Sequence, residues 1–155
     1  MRRRNQRGLT LVELIVAFTI MLILTAMSVP LARAKMRAER ERALRYALDD
    51  MRHAIDKYKD FADANAFGPI KQGTNGYPES LDVLVEGMKV ANSAKDQKLR
   101  FLRRIPVDPF TGKAEWGMRS DQDDTDSQSW GGQNVFNVYS KTNEKAPDGT
   151  CYCKW

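Results

Sequence analysis

Leu9 to Ala32 is a run of 24 residues in which Glu13 carries the only charge. As a helix rising about 1.5 Å per residue it is roughly 36 Å long, enough to cross a hydrocarbon core of about 30 Å. A helix that is apolar on every side is not the half-buried face of a soluble protein. It needs lipid or other helices around it. A carboxylate inside such a segment is expensive and calls for a partner and a task. A short leader carrying Arg2, Arg3, Arg4 and Arg7 precedes the run and ends on Gly8.

Two ordinary readings explain less. A secretory signal peptide has an apolar core of about 7–15 residues followed by a small-residue cleavage site. This run is too long, and Ala32-Arg33-Ala34 is a poor end for it. A plain signal anchor accounts for the length but gives no reason for Gly8 or Glu13.

The stretch Arg7-Gly8-Leu9-Thr10-Leu11-Val12-Glu13 resembles the N-terminus of type IV prepilins and type II secretion pseudopilins. That pattern is a basic leader, a glycine, a hydrophobic residue, and a glutamate at the fifth position after the glycine. Pro30 also fits the proline that tends to lie some twenty residues into the family's helix. The resemblance implies cleavage between Gly8 and Leu9 by a membrane prepilin peptidase, and methylation of the new Leu9 amine. It implies assembly through Leu9 and Glu13 into a homo-oligomeric filament on a secretion or pilus platform. It also implies a single-pass protein of the bacterial inner membrane with its head in the periplasm.

The basic pI of 9.3 overstates the chain's charge. The leader holds four of the 25 basic residues and no acid, so removing it leaves 21 basic against 20 acidic residues. A general nucleic-acid reading loses its support, and no nucleic-acid partner is expected. A local cluster remains in Arg33, Lys35, Arg37, Arg40, Arg42 and Arg45, against Glu39 and Glu41. It reads as a membrane exit whose arginines meet lipid headgroups. Charge counts on the two sides of the span do not by themselves place the C-terminal part outside. That orientation rests on the resemblance.

Beyond the span the helix is expected to continue. Leu44, Ala47, Leu48, Met51, Ile55, Tyr58 and Ala62 form one apolar stripe at helical spacing. Arg45, Asp49, Arg52, Asp56, Lys59 and Asp63 fall on the opposite face. A helix from about Leu9 to Ala62 follows, roughly 80 Å long and kinked at Pro30. Gly68-Pro69, Gly73 and Asn75-Gly76 mark a loop. Tyr77 to Gly87 reads as a short helix opened by a proline and closed by Gly87. Lys89 to Lys98 reads as a loop, and Arg103 to Gly112 as an ordered turn. Lys113–Met118, with Ala114 and Trp116 on one face, and Val135–Ser140 are strand candidates. The expected fold class is α+β: a long N-terminal helix against a small antiparallel sheet of at most three strands. The expected divisions are a leader at 1–8, a membrane and filament-core helix at 9–32, an amphipathic continuation at 33–66 and a head at 67–155.

Head motifs extend the resemblance to the major (G-type) pseudopilin subfamily. They are Tyr77-Pro78 with Ser80-Leu81 and Leu84, Ile105-Pro106 with Asp108-Pro109 and Thr111-Gly112, Val138-Tyr139-Ser140, and Asp148-Gly149-Thr150. The subfamily's heads are α+β, and many bind calcium in the final loop. Calcium takes six to eight oxygen ligands. Here the final loop carries Lys141 and Lys145 and departs from the family's glycine- and aspartate-rich form. The denser acidic run is Asp121, Asp123, Asp124 and Asp126, which with Asp148 makes the candidate calcium set. That run does not fit an EF-hand loop, which needs glycine where Asp126 stands. A solvated acidic loop is the plainer reading.

No catalytic constellation appears, and the chain is expected not to be an enzyme. His53 stands one turn from Asp49, Asp50 and Asp56 on an exposed helix face and reads as a solvated, salt-bridged residue. Ser80 and Asp82 lack a nearby base. Cys151 and Cys153 have too few companion ligands for a metal site. In an extended strand their Cα atoms lie about 6.6 Å apart, at the edge of disulfide geometry. A bridge within the pair, a bridge between protomers and two thiols with no role all remain open.

Three functions compete: a structural filament subunit, a minor pilin whose head binds a substrate or surface, and a membrane-anchored periplasmic domain that never polymerises. The small head favours the first over the second, and Glu13 disfavours the third.

Overall fold

The structure, a computed structural model, describes residues 10–91 and 98–155. Helix α1 spans Leu11–Asp63 and passes Pro30 without interruption. Thr10 opens it: its Oγ1 accepts from the Glu13 amide at 3.3 Å, and its carbonyl accepts from the Leu14 amide at 3.2 Å. A threonine three residues before a glutamate at a helix start is the capping-box spacing, in which side chains replace partners the first turn lacks. Asn65 ends the helix in a left-handed conformation (φ 55°), with the Ala66 amide bonded back to the Phe61 carbonyl at 3.0 Å. This wrap satisfies carbonyls that the last turn leaves open.

The chain divides into two compact units, one up to Glu39 and one from Arg40 to Trp155. Among the described residues from Leu11 to Glu39 the first is helix alone. In the second, every residue of the expected apolar stripe is buried, with Leu44, Met51 and Ile55 at 0% exposure. Each large apolar side chain removed from water contributes roughly 1.5–3 kcal/mol, so the stripe anchors the head on its own helix. Against it pack Leu81 and Leu84 of helix α2 (Leu81–Glu86), with Leu102, Trp116, Val135, Val138 and Tyr152. Gly87 ends α2 at φ 80°, its amide bonded to the Val83 carbonyl. Tyr58, Phe61, Phe67 and Phe101 form an aromatic group with ring centroids 5.2–6.3 Å apart.

The strands are shorter and more numerous than expected, and they make two sheets rather than one. Strand β1 (Met88–Lys89) pairs antiparallel with β2 (Lys98–Leu99), and β3 (Trp116–Arg119) with β4 (Asn137–Ser140). The segment read as a plain loop from Lys89 to Lys98 therefore has paired ends, Met88 with Leu99 and Lys89 with Lys98. Two residues per strand are too few to carry a period-two pattern, so the sequence offered no alternation to find. In the second sheet Gly117 faces Tyr139 across the ladder. A side chain on Gly117 would meet the Tyr139 ring at 2.2 Å, so the tyrosine lies flat where only glycine leaves room. Arg119 covers that ring, its guanidinium carbon 4.1 Å from the centroid. Lys113, Ala114 and Glu115 stay outside the strand and exposed.

Candidate functional site

Glu13 sits in the first turn of α1, one turn inside the described chain. Its amide is held by Thr10, and its side chain points outward with those of its neighbours. Leu11 is 75% exposed, Phe18 59% and Leu31 73%. None of the most apolar 18-residue window is buried, and its mean hydropathy is 2.4. Thr19, Thr25 and Ser28 each turn their hydroxyl onto the carbonyl four residues back, at 2.7–2.8 Å. Those bonds let polar side chains sit in an apolar surface without an unpaired donor. Glu13 is thus the one charge on the apolar stretch of the helix from Leu11 to Ala32. Gly8 and Leu9, the expected cleavage and methylation residues, lie outside the described residues.

The head engages the carboxylates of four of the five candidate calcium residues in hydrogen bonds or an ion pair. Asp121 accepts from Asn75 Nδ2 at 2.6 Å and from Asn134 Nδ2 at 2.7 Å. Those two bonds hold its carboxyl below the usual carboxylate range. Asp123 accepts from the amides of Ser120 and Gly131, which lower its pKa likewise. Asp126 pairs with Lys154 at 2.9 Å, and Asp148 closes a turn on the amide and hydroxyl of Thr150. Asp124 contributes its carbonyl to the Ser127 amide. Among the described residues no three His, Cys, Asp or Glu side chains gather as a metal group. Four of the five carboxylates, those of Asp121, Asp123, Asp126 and Asp148, hold the loops through these bonds. Buried Asn134 is the centre of this arrangement, also donating to the Thr74 carbonyl at 3.1 Å and accepting from the Asp121 amide at 3.2 Å.

His53 is not salt-bridged as expected. Its Nδ1 lies 2.8 Å from the Asp49 main-chain carbonyl, to which it must donate. Arg52, assigned above to the polar face, instead turns toward the sheet. It donates to Asn137 Oδ1 at 2.9 Å, to the Val138 carbonyl at 3.3 Å and to the Trp155 main-chain oxygen at 2.7 Å. Burial lowers its pKa while the Asp49 carboxylate raises it. Cys151 and Cys153 form a disulfide with Cα atoms 5.1 Å apart. The extended-strand spacing did not apply, because Cys151 caps a 3₁₀ turn over Tyr152–Lys154 that draws the pair together.

Residues 3–29 match the prokaryotic N-terminal methylation motif. Over 114 residues the chain is 32% identical to the type II secretion system core protein G of Klebsiella michiganensis, spanning 72% of this chain and 73% of that protein. The chain belongs to the type II secretion pseudopilin family. No solved structure matches it. The long helix with small antiparallel sheets is consistent with the pilin-like fold. The methylation motif and the exposed apolar helix fit a pseudopilin anchored in the inner membrane. The matched motif spans Glu13 and ends on Val29, so it takes in most of the apolar stretch together with its one charge, and Arg3, Arg4 and Arg7 before it.

Proposed function

We propose that this pseudopilin is a structural filament subunit, held in the inner membrane by residues 9–32 and processed between Gly8 and Leu9 by prepilin peptidase. A type II secretion assembly platform then polymerises it, stem against stem, with the head on the periplasmic side. The observation that carries this reading is the helix from Leu11 to Leu31, exposed along its whole apolar length and bearing one carboxylate. Lipid covers such a surface before assembly, and neighbouring stems cover it afterwards. In a water-poor filament core an unmatched Glu13 costs several kcal/mol. Pairing with the methylated Leu9 amine of the same or a neighbouring subunit removes that cost at one axial position only. The charge therefore sets register as well as affinity.

The role is structural rather than enzymatic, in keeping with a relative named as a secretion-system core protein. This reading does not depend on calcium. The test is shearing and pelleting of filaments from cells producing the chain with its secretion machinery. Mass spectrometry of the pelleted subunit should give a chain beginning at methylated Leu9. A full-length subunit, or a processed subunit found only in membranes, would overturn the reading.

A further inference from the structure

Cys151 and Cys153 bracket Tyr152, which is fully buried. Its ring stacks on Phe110 at 4.2 Å and meets Trp155 edge-on at 4.8 Å, and its hydroxyl donates to Glu41 Oε1 at 2.5 Å. Three residues on, the Trp155 indole lies 4.3 Å below the Arg45 guanidinium, and its main-chain oxygen accepts from Arg52. Glu41, Arg45 and Arg52 all belong to the part of α1 inside the head unit. The last five residues thus join the head to its helix through three side chains of one helix face. The segment before them folds back on itself: Lys145 bridges Cys151, Ala146 donates to the Thr150 carbonyl and Tyr152 to the Glu144 carbonyl.

The disulfide is the only covalent tie in this closure. Cys151 is half-buried and Cys153 is 8% exposed. Cys153 borders a cavity of about 310 Å³ shared with Tyr139, Lys141 and Asn143.

We propose that the Cys151–Cys153 pair is an oxidative modification site, and that its closure latches residues 151–155 onto the helix face of Glu41, Arg45 and Arg52. The oxidant is a thiol–disulfide oxidoreductase carrying its own disulfide. The Cys151 thiolate, the more exposed of the two, attacks one sulfur of that disulfide and expels the other as a thiolate. The Cys153 thiolate then attacks the mixed disulfide at Cys151, forming the intramolecular bond and releasing the second sulfur. Two protons and two electrons leave this chain, and the oxidoreductase takes up both electrons as a dithiol. The proposal rests on the reading that the head lies in an oxidising compartment. Without the bond, Tyr152 is no longer held in a three-residue ring, and the fixed 3₁₀ turn that presents Trp155 to Arg45 and Arg52 loses its tie.

The experiment uses the full chain purified in detergent, oxidised or reduced with a phosphine. Reduction should lower Tm by about 5 °C and speed tryptic cleavage after Lys154 and Lys145 severalfold. Cys151→Ser/Cys153→Ser should behave as the reduced protein under both conditions. Coincident melting and cleavage of the two forms would overturn the latch, as would alkylated Cys151 and Cys153 in protein trapped with a thiol-blocking reagent directly from cells. Location is read separately, by labelling of the reduced thiols with a membrane-impermeant maleimide in spheroplasts. Unlabelled thiols there would count against the periplasmic head while leaving the purified-protein comparison to decide the latch.

Discussion

Arg52 of the long helix donates through Nε to Asn137 at the start of β4, 2.9 Å away, and through Nη2 to the Trp155 main-chain oxygen. One side chain therefore ties the helix to the sheet and to the C-terminal segment. Arg52→Met keeps much of the stem's packing and removes every donor. Hydrogen bonds from a charged group contribute about 1.5–3 kcal/mol in favourable cases, and half-burial puts this site at the lower end. We expect a loss of about 1.5 kcal/mol in denaturant unfolding of the full chain in detergent. A midpoint within error of the parent would mean the three bonds merely replace water.

Gly117 offers a sharper steric test. An added methyl would sit 2.2 Å from the Tyr139 ring, itself pinned by its hydroxyl to the Gln128 carbonyl and covered by Arg119. Gly117→Ala should destabilise by about 1–3 kcal/mol, as overpacking does. Restoring space with Tyr139→Ala in the same chain should make the second alanine at 117 nearly silent. Additive losses in the double variant would show that the two positions do not compete for one volume.

Asp108 is fully buried, yet its carboxylate is well supplied with donors. The Phe110 amide lies at 2.8 Å and the Ser140 hydroxyl at 2.5 Å, and the Gly112 amide bonds the Asp108 carbonyl. The carboxylate organises the Pro106–Gly112 turn and joins it to β4. Asp108→Asn presents an amide donor where two donors already point, and should cost about 2 kcal/mol. Thermal melting beside Ser140→Ala, expected to cost less, would rank the two partners. The reverse ranking would mean that the hydroxyl, not the carboxylate, holds the turn.

Much of this was legible in the chain. The stripe from Leu44 to Ala62 is readable because one buried helix face imposes its period on the sequence, and every residue named for it is buried. The Gly87 stop is readable because its positive φ suits a residue without a side chain. The two-residue strands were not, since pairing that short leaves no alternation. Arg52 was misplaced because helix spacing gives a direction for Cα but not the bend of a long side chain, which carries its aliphatic part along apolar surface. The cap at Thr10 is legible as a threonine three residues before Glu13. The charge density of the acidic run is visible in sequence, whereas the amides of Asn75, Asn134, Ser120 and Gly131 that bond it are brought there only by folding.

Those amides give the head a defined response to acid. Asp121 and Asp123 have folded-state pKa values below the ordinary carboxylate value, chiefly through these hydrogen bonds. The folded state therefore binds protons less readily than the unfolded chain. Their contribution is fully present above the unfolded value near 4 and is lost as pH falls through the lower folded values. Unfolding midpoints should be flat from neutral pH to about 5 and fall below about 4. Asp121→Asn should flatten that acid limb, and an unchanged limb would remove Asp121 from its cause. Because the same carboxylates are engaged by protein donors, chelator should leave Tm unchanged at neutral pH. A fall in Tm with chelator, reversed by added calcium, would show that these loops open to admit the ion.

Glu13 has two possible tasks, and the structure makes them separable. Its main-chain amide is held by the Thr10 hydroxyl, and at this capping-box spacing the side chain of a glutamate or a glutamine can reach back to the Thr10 amide. As the single charge on the apolar stem it would neutralise the Leu9 amine in an assembled filament, a role that needs the negative charge. Glu13→Gln keeps the cap and removes the charge, while Thr10→Val removes the cap's oxygen and keeps the charge. If charge pairing governs assembly, Glu13→Gln should give cleaved, membrane-resident subunit and few sheared filaments. Thr10→Val should still assemble, with at most about 1 kcal/mol taken from the first helical turn. Membrane insertion should survive in both, since it depends on the apolar span, and removing a charge eases it. Glu13→Asp keeps the charge on a shorter reach and should assemble in part. The opposite pattern, with Glu13→Gln assembling fully and Thr10→Val failing, would make the glutamate a capping residue and leave filament register to the packing of the stems.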